Sequence, residues 1–487
     1  MRAVAGLVLA LLAVLLPVGQ APSTADKAAP SSRDLTLDLR DAYLDASSDA
    51  SHDGAARSAR GRTSARPSDP ADGSGEFFWD PAAPRGQVCG AAACVHYVTT
   101  TSDAPPLASS DGVTPDWVRR SLDVTELALA RMAELGYPGV PSDAGRGGSP
   151  HFDVYLADIS RAGLYGYCAP EAPVLGASGQ ASSYCVFDDD FTGFPKSADD
   201  SLRVTAAHEL FHAVQFGMDV HEDRWFLEST ATWMEEQVAD DVDDNRQYLS
   251  AGQLGRRHVP LDHSAADLGL YGNWIFFQFL AQRYGVDAVR QVWELAATGP
   301  GRRDDFSVKA VRRFVESRGG SFPSVYASFV HANLTPQHGY DEGRAYRRPA
   351  VDDSVGLGPA RRSWREERIA VPHLTGHAIS LRPKSGLRGR VRLRLSVTTT
   401  RSSGAAATAR VFLESGKVVT LPIRLRRGHG DRVVKFSDRR VRRVVVVLAN
   451  ASTRYDCRQR THFACQGTPL DEAQRFGLTA SLLRAHR

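Results

Sequence analysis

Apolar residues recur along this chain at a helical period in one long stretch and at a strand period in another. Between Pro115 and Leu135 they fall at Val118, Leu122, Val124, Leu127, Leu129, Met132 and Leu135, one broad helical face. Thr114 is the cap candidate, Pro115 lies in the first turn and Gly136 closes the helix. Around it lie short β-branched and aromatic runs: Cys94–Thr101 and Phe152–Leu156, then Leu164–Cys168 and Ser182–Phe187, which read as a hairpin. Helical composition returns at Ala206–Gln215, with capping candidates at Ser197, Asp199, Asp200 and Ser201, then at Trp225–Glu236, Leu270–Leu280 and within 306–333. Strand, helix, strands, helices predicts an α+β unit with a mixed sheet.

From Arg368 the pattern alternates. Arg390–Val397, Ala409–Leu413, Lys417–Ile423, Val433–Phe436, Arg443–Leu448 and Phe476–Leu483 predict an all-β sandwich. Val444–Leu448 is continuously apolar, which marks a buried strand. Pro336–Trp364 is rich in breakers. The expected organisation is therefore residues 1–25 as a signal peptide, 26–84 as a disordered linker or pro-segment, 85–345 as the α+β domain, 346–367 as a linker and 368–487 as the β-sandwich.

The first of these rests on Met1-Arg2, an apolar run from Ala3 to Val18 broken by Pro17, and small residues that allow cleavage after Ala21 or Ala25. Residues 26–84 hold almost no large apolar side chains between Tyr43 and Phe77, although Asp34–Tyr43 could form a short helix. Six cysteines fit an exported protein and pair by proximity as Cys89/Cys94, Cys168/Cys185 and Cys457/Cys465. A secreted, extracellular bacterial protein with no transmembrane segment after signal removal is expected.

Composition changes the picture little: 42% hydrophobic and 24% charged residues are ordinary for a globular protein. The net charge of +3 hides an asymmetry, because residues 361–487 carry 28 Lys/Arg against 8 Asp/Glu and the rest of the chain carries 31 against 48. The basic tail reads either as the Arg-rich composition of a stable β domain or as a surface for an anionic cell-surface polymer. No nucleic-acid partner is expected.

The candidate chemistry sits at His208-Glu209-Leu210-Phe211-His212. On a helix the two histidines project from one face, one turn apart, a spacing that suits two nitrogen ligands of one zinc ion. Glu209 lies beside them as the general base for a water whose pKa the metal lowers. Met218 stands six residues past His212, where a metzincin would need a third histidine, and His221 reads as a surface loop residue. Asp188-Asp189-Asp190 lacks the alternating spacing of a calcium loop and reads as a solvated turn.

Trp225-Phe226-Leu227-Glu228-Ser229-Thr230-Ala231 resembles the segment that carries the third zinc ligand in gluzincin aminopeptidases. With His208–Gln215 it resembles, more narrowly, a group of little-characterised secreted bacterial metalloproteases. The resemblance implies a zincin-like catalytic domain and a single Zn2+ held by His208, His212 and Glu228. It also implies a peptide or protein substrate bound by β-augmentation on a sheet edge, for which Cys185–Phe187 is the candidate. Leu227 replaces the Asn of that pattern, and Thr232 stands where a thermolysin-like chain has a supporting Asp. Glu235 is placed either to orient a ligand histidine or to serve as a rival third ligand. Gluzincins take an oxyanion donor from a later helix; Tyr271 is the candidate and His263 the runner-up. The implied function is zinc-dependent hydrolysis of peptide bonds with Glu209 as base. The alternatives are a non-enzymatic secreted binding protein with a vestigial zinc site and a zinc amidase acting on cell-wall peptides.

Overall fold

A computed structural model describes residues 35–49, 65–69, 77–265, 267–299, 305–387, 391–400 and 403–483. The signal-peptide reading of residues 1–25 lies outside these. In chain order the elements are α1 (Leu35–Asp49), β1 (Arg85–Cys89), β2 (Ala93–Val98), α2 (Asp116–Glu134), β3 (Phe152–Ala157), β4 (Gly166–Pro173), β5 (Ala181–Asp188), α3 (Ala198–Asp219), α4 (Arg224–Val238), α5 (Gly269–Gly272), α6 (Trp274–Tyr284), α7 (Asp287–Ala296), α8 (Ser307–Ser317), α9 (Phe322–Leu334) and α10 (Pro336–Gly339). Eleven strands follow: β6 (Asp353–Leu357), β7 (Ser363–Pro372), β8 (Thr375–Pro383), β9 (Arg392–Thr399), β10 (Ala405–Leu413), β11 (Val418–Ile423), β12 (His429–Lys435), β13 (Val441–Asn450), β14 (Tyr455–Asp456), β15 (Thr468–Pro469) and β16 (Ala473–Leu483).

The α+β unit followed by an all-β unit is as the apolar periods predict. The first sheet is mixed, in the order β1-β2-β3-β5-β4, with β2–β3 and β3–β5 parallel and the outer pairs antiparallel. This corrects the expected edge: the strand containing Cys185–Phe187 is interior, and the edge strands are β4 beside it and β1 at the far side. The reason is chemical. Pro170 and Pro173 have no N–H to give a second neighbour, and the β4–β5 register slips between Pro170 and Ala172. The Cys168–Cys185 bond joins two residues opposite each other in this hairpin. The other two disulfides, Cys89–Cys94 and Cys457–Cys465, also pair by proximity.

Two expectations near the N-terminus change. Residues 26–84 are not uniformly unstructured: the short helix read at Asp34–Tyr43 forms as α1 and runs on to Asp49, with Thr36, Leu37, Arg40 and Tyr43 buried. Arg66 is buried too, ion-paired to Asp143 and Asp153 at 2.6 Å and to Glu171 of β4 at 2.7 Å. These ordered pieces gain burial by docking on the α+β unit, which local composition does not reveal. At α2 the cap position is Pro115 rather than Thr114, with no side-chain cap bond. The helix expected at Leu270–Leu280 is broken into α5 and α6 at Gly272-Asn273. A Cβ at Gly272 would lie 2.2 Å from the Tyr248 carbonyl oxygen, and the Asn273 side chain binds Gln253 N and Leu261 O.

The linker expected at 346–367 already contains β6 and the start of β7. The sandwich stacks the sheet β11-β10-β13-β8-β6 on the sheet β12-β9-β16-β7. Alternate residues of β13 face two cores. Val444, Val446 and Leu448 point into the sandwich, whereas Val445, Val447 and Ala449 join the core of the α+β unit, against which α9 packs. A strand buried on both faces explains its unbroken apolar run. Among the described residues no helix is long and apolar enough to cross a membrane.

Candidate functional site

α3 crosses β4 and β5 and packs against α2 and α4. Its first turn is tied by the Ser197 hydroxyl, which accepts from Asp200 N at 3.1 Å. From Val204 to Phe216 every residue is buried, so the polar side chains there must be satisfied inside the protein.

His208 and His212 meet Glu228 of α4. His208 Nε2 lies 3.1 Å from Glu228 Oε2, and His212 Nε2 lies 3.5 Å from Glu228 Oε1. One donor atom from each of the three lies within 4.8 Å of the others. Burial disfavours the charged imidazole of His208, but hydrogen bonds with Glu228 and Glu235 outweigh it and hold the group at about 9. Burial likewise raises Glu228, and the two histidines reverse this, to about 2.

Each histidine is oriented from behind. His208 Nδ1 lies 2.8 Å from Glu235 Oε1, on the side of the ring away from Glu228, the placement of a group that orients His208. His212 Nδ1 lies 2.7 Å from Gln215 Oε1. The Gln215 amide in turn donates to Leu227 O and Thr230 Oγ1, both at 3.0 Å. Sequence reasoning missed Gln215; its signal is an amide three residues past the second histidine, on the same helix face. Thr232 takes no such part, because its hydroxyl is buried without a hydrogen-bond partner among the described residues. If the cluster holds zinc, Glu235→Ala should lower its affinity by about 10- to 100-fold while leaving one ion per chain at saturation, as read by chelator competition. Unchanged affinity would remove Glu235 from the site.

Glu209 is buried on the β4 side of α3. The Cys168–Cys185 disulfide lies against its backbone, with Cys168 Sγ 2.9 Å from Glu209 O. Gly166 permits this approach of β4 to α3, since a Cβ there would sit 2.6 Å from Thr205 Cγ2 and 3.1 Å from Glu209 Cγ. The Glu209 carboxylate is not free: the Thr36 hydroxyl of α1 donates to Oε2 at 2.9 Å.

Tyr271 is buried beside the site, its ring centroid 5.9 Å from that of His208. His263 is elsewhere. It packs on His462 and Phe463, and among the described residues no hydrogen bond or ring contact joins it to the His/His/Glu cluster. His221 is exposed, as expected.

The solvated-turn reading of Asp188-Asp189-Asp190 is corrected. Asp188 and Asp189 are buried, because Asp188 accepts from Ile159 N, Ser160 N and Phe191 N and so ties three loop amides at the end of β5. Asp158, Asp188 and Asp189 offer oxygens within 4.8 Å of one another. Burial, then Asp188, Asp190 and Asp158, push Asp189 up to about 8, and burial pushes Asp188 up to about 6. Arg161 lies 3.9 Å from Asp158. An unfolded Asp releases its proton near pH 4, so between about 4 and 8 the folded chain binds more protons than the unfolded one. Stability from these groups is present below that window and is lost as pH rises through it. In chelator-treated buffer, Asp189→Asn should raise the melting temperature at pH 8 by several degrees and change it little at pH 4. An equal effect at both pH values would contradict this.

Residues 194–326 match a family of unknown function, DUF6055. The DUF6055 segment takes in His208, Glu209, His212, Glu228, Glu235 and Tyr271, so the whole cluster lies inside it. No curated protein matches. Among solved structures, the pre-peptidase C-terminal domain of a collagenase from Bacillus anthracis is similar over 28% of this chain and 100% of that one, at 8% identity and a TM-score of 0.17. That likeness carries no argument here.

Proposed function

We propose that the chain is a secreted zinc-dependent peptidase of gluzincin type, with a zincin-like fold around His208, His212 and Glu228. One observation carries the reading. Three buried donors converge, and two of their atoms, His212 Nε2 and Glu228 Oε1, face each other at 3.5 Å without a hydrogen-bond partner among the described residues. Buried polar atoms of this kind need a partner, and two imidazoles with one carboxylate suit zinc. When bound, zinc supplies a Lewis acid for the scissile carbonyl and lowers the pKa of water. Glu209 then takes the proton of the attacking water and delivers it to the leaving amine. Tyr271, against His208, is our assignment for the donor to the developing oxyanion. Glu235 and Gln215 fix the ring orientations.

The β unit braces this site. Asp223, at the start of α4, accepts from Cys465 N at 2.7 Å and from Ser307 Oγ, so the Cys457–Cys465 loop buttresses the helix that carries Glu228. Its basic surface includes Arg382, Arg442 and Arg443, which with Arg348 line one cleft. An anionic cell-surface polymer would bind there, with affinity that falls steeply as salt rises; binding that persists at high salt would exclude it.

Metal content with X-ray absorption on the purified chain tests the centre. Zinc with two imidazoles, one carboxylate and an open position supports a peptidase or a cell-wall amidase, which a substrate panel separates. Four protein ligands with no open position would support the non-enzymatic binding protein.

A further inference from the structure

We infer that α1 is an intramolecular occupant of the substrate cleft, holding the general base and the free edge of β4 where an extended peptide would lie. The inference rests on the peptidase reading and concerns the regulation of that site. Thr36 is the point of contact. Its hydroxyl donates to Glu209 Oε2 at 2.9 Å and accepts from Cys168 N at 3.0 Å, so one side chain engages both the carboxylate and an edge amide of β4. A hydroxyl hydrogen-bonded to a general base occupies the place of the water that the base must activate. The edge amide is of the kind that an added strand would use.

Other residues of α1 hold the helix there. Leu37 and Tyr43 are part of the main core, and Leu35 and Leu39 pack on the second face of the sheet. Arg40 donates to Glu222 O at 2.8 Å. Arg224, the first residue of the helix bearing Glu228, pairs with Asp41 at 2.5 Å and Asp38 at 3.4 Å.

Three features make the occupant removable. No cysteine precedes Cys89, so no disulfide ties α1 to the rest. Arg66 is anchored in its own acidic cluster, so a cut between Asp49 and Arg66 frees α1 and leaves the remainder in place. Arg40 Nε is buried without a hydrogen-bond partner among the described residues, so the seat is incompletely paired there. A free 15-residue helix is marginal in water, which favours dissociation once the chain is cut.

The test inserts a site-specific protease sequence after Gly54 in the full chain and compares zinc-loaded protein before and after cutting. The probes are a small hydroxamate, which needs only an accessible metal, and a peptide library. Removing the fragment should tighten hydroxamate binding by about ten-fold or more, because an occupied site binds in proportion to the fraction of time it is open. Synthetic peptide 35–49 should restore the block, and the same peptide carrying Thr36→Val should restore less. Equal hydroxamate affinity before and after removal overturns the inference. Tighter hydroxamate binding without cleavage of any peptide upholds the role of α1 and overturns the peptidase reading. If the cut chain unfolds, uncut Thr36→Ala/Arg40→Ala must show the gain in access, and no gain overturns the inference.

Discussion

Glu209→Gln should keep the fold and the zinc and lose peptide hydrolysis by about 10²- to 10⁴-fold, the range for removing a general base. The substitution is nearly isosteric, so the cluster beside it stays packed. Gln can still accept from the Thr36 hydroxyl, as Glu209 does through Oε2, and the disulfide contact is to the backbone of residue 209, which does not change. The amide has no basic oxygen to take a proton at neutral pH. The measurement pairs zinc content with the turnover number on α1-free protein. Zinc and melting temperature should match the parent. Parent-like turnover in a clean preparation would remove Glu209 from the chemistry.

Glu228→Ala should abolish zinc retention and lower stability by about 3–5 kcal/mol, the scale for taking one partner from a buried charged pair. The carboxylate bridges both histidines, at 3.1 Å from His208 Nε2 and 3.5 Å from His212 Nε2. Its loss leaves two buried imidazoles facing a void, with His208 still held by Glu235 and His212 by Gln215. Ligand loss and structural loss are separable. Glu228→Gln keeps the volume and can hydrogen-bond both rings, so it should recover much of the stability and little of the zinc. Denaturant unfolding reads the first effect and metal analysis after dialysis reads the second. Zinc retained at parent levels in Glu228→Ala would shift the third ligand to another residue.

The cluster was largely legible in the chain. Two histidines four apart in a helix-forming run put His208 and His212 on one face, and the resemblance of Trp225–Ala231 to a gluzincin segment adds Glu228 to them. Glu235 was legible as a nearby carboxylate but not as to role, because spacing alone puts it on the same helix face as Glu228 and does not say which ring it meets. Gln215 was passed over because amides carry no charge signal. The β-sandwich followed from alternation, and the two-faced burial of β13 from its unbroken valines.

What escaped was tertiary. The edge position of β4 is written in Pro170 and Pro173, which lie beyond the Leu164–Cys168 run that the β-branched and aromatic pattern marks as strand. Asp34–Tyr43 is legible as a short helix but its docking is not, since the buried positions among the described residues of α1 are Thr36, Leu37, Arg40 and Tyr43 rather than an apolar stripe. Such a helix orders only by docking, and its partners lie more than a hundred residues away. Asp188 likewise looks like a surface turn until the loop amides it binds are known.

The most direct test of the account is cleavage of a peptide library, with products identified by mass spectrometry. It uses α1-free chain stripped by chelator and then returned to one zinc per chain. The zinc-loaded protein should cleave, and neither the stripped protein nor zinc-loaded Glu209→Gln should. Cleavage that persists in the stripped chain or in Glu209→Gln, or its absence in the zinc-loaded parent, would contradict the account.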